Sequence, residues 1–183
     1  MKFNPLIHHR KSIRLKGYDY SSSGLYFITF IVNQRECSFG EIVNDIMILN
    51  ESGLIVTKYL NEIEKKYVQI ELNKYVIMPN HIHLIIEIHT EVTNISEANM
   101  LLESETIEIS ERDKRRKMLL SKFVGWLKMN TAKEINILNQ NSGGNFWQRD
   151  YYEHIIRDIE SYKRIANYIS NNPTNWNLDE FYK

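Results

Sequence analysis

Three observations predict a single mixed α/β domain whose central strands run antiparallel. The chain has 183 residues and is 43% hydrophobic, long enough to bury a good core. Runs of β-branched and aromatic residues alternate with segments whose apolar positions follow the period of a helix. Two of the strand runs, at Val68–Leu72 and in the stretch Tyr75–Ile88, are so closely spaced that they should be antiparallel neighbours.

The first strand is Gly24-Leu25-Tyr26-Phe27-Ile28-Thr29-Phe30-Ile31-Val32, aromatic and β-branched enough to be central. After a turn around Gly40, Ile42 to Leu49 reads as one short strand. Asn50-Glu51-Ser52 then starts a helix that carries Leu54, Ile55, Tyr59, Leu60 and Ile63 at helical spacing. Val68 to Leu72 alternates as a strand, and the apolar run containing His81 and His83 follows. Residues 90–111 hold six Glu and no basic residue, with little periodicity, which predicts an acidic loop insertion and not a second domain. A helix from about Lys114 to Ile135 has Met118, Leu119, Phe123, Trp126 and Leu127 on one stripe. Asn139 to Asn145 is a loop, and Tyr151 to Arg157 reads as a last strand. Asp158 caps a final helix that ends where Pro173 forbids continuation.

Composition narrows the function classes. No apolar run approaches the ~20 residues needed to span a bilayer, and the N-terminus lacks the apolar core of a secretion signal, so a cytoplasmic protein with no membrane partner is expected. Cys37 is the only cysteine, which excludes an internal disulfide; it sits in a polar turn without a neighbouring His and reads as an incidental thiol. The formal net charge is zero, but the charge is unevenly spread. Lys2, Arg10, Lys11, Arg14 and Lys16 make a basic N-terminal arm over residues 1–20, and Lys114-Arg115-Arg116-Lys117 forms a second basic cluster. Such patches govern affinity for phosphates more than the total does, although either alone is better explained as a solvated helix face.

Two patterns carry chemistry. In Met78-Pro79-Asn80-His81-Ile82-His83-Leu84-Ile85-Ile86-Glu87-Ile88 the two histidines are two apart on a strand, so both imidazoles share one face while Ile82 and Leu84 take the other. Paired imidazoles on a rigid surface are half of a divalent-metal site; alone they would also suit two hydrogen-bonded strand residues. In the last helix Tyr162, Ile165, Ala166 and Ile169 form the core stripe. Tyr168 lies on its flank, and Asn172 is four residues on, on the same side. If that side faces the histidines, two imidazoles, an amide oxygen and a phenol converge. That set suits phosphoryl transfer, with a cation polarising a phosphodiester and favouring the phenolate of a group whose pKa is normally ~10.

Taken together these motifs resemble the HUH single-tyrosine transposases, and most closely their REP-associated tyrosine transposase branch. The resemblance is carried by Arg14-Leu15-Lys16-Gly17-Tyr18-Asp19-Tyr20, by Met78-Pro79-Asn80-His81-Ile82-His83, by Phe146-Trp147-Gln148-Arg149-Asp150-Tyr151-Tyr152-Glu153-His154-Ile155-Ile156-Arg157, and by Tyr168-Ile169-Ser170-Asn171-Asn172-Pro173. It implies an α+β fold with a ferredoxin-like antiparallel sheet backed by helices. It also implies a single-stranded DNA endonuclease and strand transferase acting near DNA hairpins through a 5′-phosphotyrosine intermediate, with a divalent metal, Mg²⁺ or Mn²⁺. By position His81, His83 and Asn172 match the metal ligands, and Tyr168 matches the nucleophile. Tyr152 and then Tyr151 are weaker rivals for that role.

DNA contacts are expected from Arg10, Lys11, Arg14, Lys16, Lys114, Arg115, Arg116 and Arg149, from Trp147 stacking on bases, and from His154, which is as well explained as structural. A monomer is favoured because little chain follows Asn172, with a homodimer as the alternative. Two other readings remain open at this point: a hairpin or single-strand binding module that does not cleave, and a metal-dependent phosphodiesterase using water.

Overall fold

The structure, a computed structural model, describes residues 23–89, 118–141 and 143–183. The basic arm, the acidic insertion and the Lys114 to Lys117 cluster lie outside them. In chain order the elements are β1 (Gly24–Ile31), β2 (Gly40–Val43), β3 (Ile46–Leu49), α1 (Glu51–Asn61), α2 (Ile63–Lys66), β4 (Ile70–Ile77), β5 (His81–Ile88), α3 (Leu119–Leu138), β6 (Tyr152–Ile156) and α4 (Ile159–Asn171), with short 3₁₀ turns at Asn33–Arg35 and Trp176–Leu178. β4, β5, β1 and β6 form one antiparallel sheet in that spatial order, and β2 pairs with β3 in a separate hairpin. This is the ferredoxin-like arrangement, with the hairpin, α1 and α2 between the first two sheet strands and α3 between the last two.

The strand sequences explain the two layers. On one face, Tyr26, Ile28 and Phe30 of β1 and Ile82, Leu84 and Ile86 of β5 are fully buried. They pack with Val56 and Leu60 of α1 and with Phe123, Val124 and Leu127 of α3. The opposite face carries Leu25, Phe27 and Ile85, and is covered by Ala166 and Ile169 of α4 with Tyr162 and Ile165 beside them. β5 is therefore buried on both sides, and reads as a near-continuous apolar run broken only by its two histidines and by the half-buried Glu87 near its end. Asp158 caps α4, its carboxylate accepting from the Ser161 amide at 2.7 Å. Tyr162 donates to Asn73 Oδ1 at 3.1 Å and ties the helix to β4.

Two segments differ from the sequence expectation. Ile42 to Leu49 is a hairpin and not one strand, because Asn44 and Asp45 take left-handed φ values of 50° and 63° and turn the chain. β4 runs from Ile70 to Ile77 instead of Val68 to Leu72, so Tyr75, Val76 and Ile77 belong to it and not to the histidine strand. A bulge between Leu72 and Lys74 interrupts the alternation, which is why the second half of this strand is masked in the sequence. The Pro79-Asn80 turn then starts β5 at His81, with the Met78 amide donating to the His81 carbonyl at 2.8 Å.

Ile85 lies between the sheet and α4, fully buried. Ile85→Ala is expected to cost roughly 2–5 kcal/mol, read as a lower urea midpoint at unchanged m-value, since a cavity would open where the helix cannot collapse onto the sheet.

Candidate metal and tyrosine site

The alternation of β5 places His81 and His83 on the α4 face, next to Ile85. Cross-strand register sets His83 opposite Thr29 of β1 and His81 opposite Ile31. Both imidazoles are essentially buried, at 0% and 2% exposure. His81 Nδ1 is 2.9 Å from Asn80 Oδ1, and His83 Nδ1 is 2.7 Å from Thr29 Oγ1. Each ring thus turns its Nδ1 toward a side chain of the scaffold and its Nε2 toward the space under α4. Phe27 stacks on His83 with ring centroids 5.2 Å apart.

The end of α4 supplies the rest. Tyr168 Oη is 3.1 Å from His83 Nε2, and its ring meets Phe27 edge-on. Asn172, one helical turn later, is buried. After Pro173 the chain doubles back across the histidines. Trp176 and Phe181 approach the His81 ring with centroids at 6.0 and 4.7 Å. Between them Asp179 is inserted into the cluster. Its Oδ2 accepts from Asn172 Nδ2 at 2.9 Å and from Tyr168 Oη at 3.4 Å, and its Oδ1 accepts from the Phe181 amide at 2.7 Å. Arg35 holds the segment from outside, donating to the Glu180 carbonyl at 2.8 Å.

The donor set fits a divalent cation. One ligand atom each from His81, His83 and Asp179 lies within 4.8 Å of the others. Two buried polar atoms here have no hydrogen-bond partner, His81 Nε2 and Asn172 Oδ1; the amide oxygen offers a lone pair, and so does Nε2 in the tautomer that carries its proton on Nδ1. His81 Nε2 and Asp179 Oδ2 are 4.0 Å apart, a gap that two bonds of about 2.0–2.2 Å can bridge. Burial keeps both imidazoles neutral, the form that ligates metals: His81 is held down at about 4 against the pull of Asp179, and His83 lies well below its ordinary value, with His81 adding to the effect. The Tyr168 phenol is pushed up to about 12, first by burial and then by the Asp179 carboxylate, with Asn172 opposing. Without a cation, this phenol stays protonated.

The residues expected from sequence fall into three groups. His81, His83, Tyr168 and Asn172 come together as described. Trp147 does not offer a stacking surface, correcting that expectation. It is 7% exposed, wedged among Phe30, Phe39 and Phe146, and its indole N–H donates to Thr131 Oγ1 at 3.0 Å. Arg149 is exposed on the loop before β6, where its carbonyl accepts from Lys128 Nζ at 3.1 Å. His154 is exposed on β6 opposite Phe27 and is not a member of the three-residue cluster. Tyr151 packs at 5.8 Å against Phe30, on the far side of the sheet from the histidines, whereas Tyr152 shares their face one strand beyond Thr29. Arg10, Lys11, Arg14, Lys16, Lys114, Arg115 and Arg116 lie outside the described residues. Asp179, Thr29 and Asn80 are participants that sequence reasoning missed.

No protein-family model matches the chain. A Haemophilus influenzae protein whose function is uncharacterized is 39% identical over 183 residues, covering 99% of this chain and 97% of its own length. A second H. influenzae protein, named as a candidate REP-associated tyrosine transposase, is 26% identical over 165 residues, or 85% of this chain and 73% of its own. The chain belongs to one family with the first and is a distant relative of the REP-associated tyrosine transposases. A solved REP-associated tyrosine transposase bound to a REP hairpin shares the fold, with a TM-score of 0.54 at 16% identity over 91% of this chain and 74% of that one. In this distant relative of the transposases, no helix among the described residues is long and apolar enough to cross a membrane.

The buried neutral histidines make the metal-free protein acid-sensitive. Unfolded imidazoles titrate near 6.5, so below that pH the unfolded chain takes up protons that the folded site refuses. Stability in chelator should be full above pH 6.5 and fall as pH drops toward about 4, with His81 alone contributing on the order of 3 kcal/mol. Urea titrations between pH 7.5 and 5 check this, and a His81→Gln variant should show a shallower slope.

Proposed function

We propose that the protein is a metal-dependent single-stranded DNA strand transferase in which Tyr168 is the nucleophile. The observation that carries this reading is the 3.1 Å contact between Tyr168 Oη and the Nε2 of a buried, neutral His83. A phenol that merely closed a protein core would have no reason to sit, half-exposed, against the free edge of a paired-histidine cluster. Kinship with the REP-associated tyrosine transposases supports the same chemistry, and the hairpin held by the solved relative supports hairpin-bearing single-stranded DNA as the substrate.

His81 Nε2, His83 Nε2, Asp179 and Asn172 Oδ1 would hold a divalent cation. When bound, it supplies charge neutralisation on a phosphoryl oxygen and favours the phenolate. Tyr168 Oη then attacks phosphorus: the Oη–P bond forms, the bond from phosphorus to the 3′ oxygen breaks, and the strand is left with a free 3′ hydroxyl and a 5′ phosphate on tyrosine. With His83 Nε2 and Asp179 both engaged as ligands, the phenol proton leaves to solvent on the exposed side of Tyr168, and the departing 3′ oxygen takes up a proton from solvent to become the hydroxyl. Resealing is the reverse, with a 3′ hydroxyl attacking the phosphotyrosine and Tyr168 leaving. Mixed imidazole and oxygen donors favour Mn²⁺ over Mg²⁺ in intrinsic affinity, so Mn²⁺ is the expected activator in vitro.

The experiment is a covalent-adduct assay with labelled hairpin-bearing single-stranded DNA on denaturing gels. Wild-type protein should give a shifted band with Mn²⁺, weaker with Mg²⁺ and absent in chelator, and Tyr168→Phe should give none. Cleavage with turnover and no adduct would instead support a phosphodiesterase using water. An adduct that survives in Tyr168→Phe would move the nucleophile to Tyr152, the other tyrosine on this face.

A further inference from the structure

We propose that Asn80 is a positioning residue: it fixes which nitrogen of His81 faces the site, and it ties that choice to the docked C-terminal segment. The inference rests on the reading of His81 as a metal ligand. Asn80 ends the turn before β5 and is fully buried. Its backbone is pinned from outside the hairpin, since its carbonyl accepts from the Val32 amide at 2.8 Å while the neighbouring Pro79 carbonyl accepts from the Phe39 amide at 3.0 Å. The side chain is equally constrained. Nδ2 donates to the Phe181 carbonyl at 2.7 Å and to the Arg35 carbonyl at 3.2 Å.

Those two carbonyls decide the orientation of the amide. A flipped carboxamide would press its oxygen against two other oxygens, so the donor end must face them and the acceptor end must face His81. Asn80 Oδ1 can only accept. The 2.9 Å contact with His81 Nδ1 therefore requires a proton on Nδ1, and the remaining nitrogen, Nε2, presents its lone pair to the cluster. That nitrogen is buried and without a partner. No such decision is made at His83, whose two neighbours are the hydroxyls of Thr29 and Tyr168, each able to donate or accept. One histidine is thus set by the scaffold, while the neighbours of the other fix neither tautomer.

The same amide reads the C-terminal segment. Phe181 supplies the shorter of the two carbonyl contacts, and Asp179, two residues earlier, enters the cluster. Docking of residues 176–183 therefore completes the site twice: directly through a carboxylate, and indirectly by holding Asn80 in the orientation that readies His81.

Two measurements test this. Long-range ¹H–¹⁵N spectra of metal-free wild-type protein at pH 7.5 should show His81 as the neutral tautomer protonated at Nδ1. A proton on Nε2 would overturn the proposal whatever the variants do. Mn²⁺ titration, by calorimetry or spin resonance, then compares Asn80→Ala with Asn80→Asp. Both lose the donor that grips Phe181, but only the aspartate keeps an acceptor for the Nδ1 proton. Asn80→Ala should bind Mn²⁺ about 10–100-fold more weakly than wild type, and Asn80→Asp at least about fivefold more tightly than Asn80→Ala. Equal weakening in both variants would make Asn80 a tether for the segment and nothing more. A wild type with the Nδ1 tautomer that binds no Mn²⁺ would sink the metal reading and leave the Asn80 orientation standing.

Discussion

Two imidazoles buried between the sheet and the last helix oblige the protein to account for four ring nitrogens, and the C-terminal third of the described chain is arranged around that obligation. An unpartnered polar atom in a dry interior costs about 1–3 kcal/mol, so such groups are normally satisfied. Asn80 and Thr29 take the two Nδ1 atoms, and Tyr168 takes the Nε2 of His83. The Nε2 of His81 is left over, beside a carboxamide oxygen that is also left over and a carboxylate that is not fully surrounded by donors. Leftover acceptors that converge are what a cation site requires, and they are a poor way to build a core that binds nothing.

The rest of the fold can be read as support for this arrangement. β5 is gripped from both faces, so its histidines cannot shift without disturbing α1 and α3 on one side or α4 on the other. α4 is fixed by its cap, by Ala166 and Ile169 on the sheet, and by Tyr162 reaching Asn73. That leaves Tyr168 rigidly placed but half-exposed, open to a large substrate on its outer side. The segment after Pro173 is held differently. Its anchors are the aromatic contacts of Trp176 and Phe181 and a few hydrogen bonds to Arg35 and Asn80. Asp179 thus reaches the cluster from a segment outside the sheet and its helices, held in place by its own hydrogen bonds to Asn172, Tyr168 and the Phe181 amide.

Much of this was legible in the sequence, and the limits have physical reasons. Period-two alternation in His81-Ile82-His83-Leu84 already puts both imidazoles on one face, and period 3.6 puts Tyr168 and Asn172 on one side of the last helix. Asp158 and Pro173 mark the ends of that helix from their own chemistry. Asp179 was not legible, because it sits beyond the last periodic element and reaches the site only through a reversal whose geometry no local pattern encodes. Thr29 is an ordinary strand residue until cross-strand register puts it opposite His83, and register is a property of two segments at once. Trp147 misled for a related reason. An aromatic in a polar loop looks like a surface group, and only the packing of Phe30, Phe39 and Phe146 around it shows otherwise.

The most direct measurement is anomalous diffraction at the manganese edge from crystals of Tyr168→Phe grown with Mn²⁺. One anomalous peak is expected within bonding distance of His81 Nε2, His83 Nε2 and the Asp179 carboxylate, on the side of the cluster that faces residue 168. No peak there, or a peak only at other surface carboxylates, would contradict a shared metal and tyrosine centre.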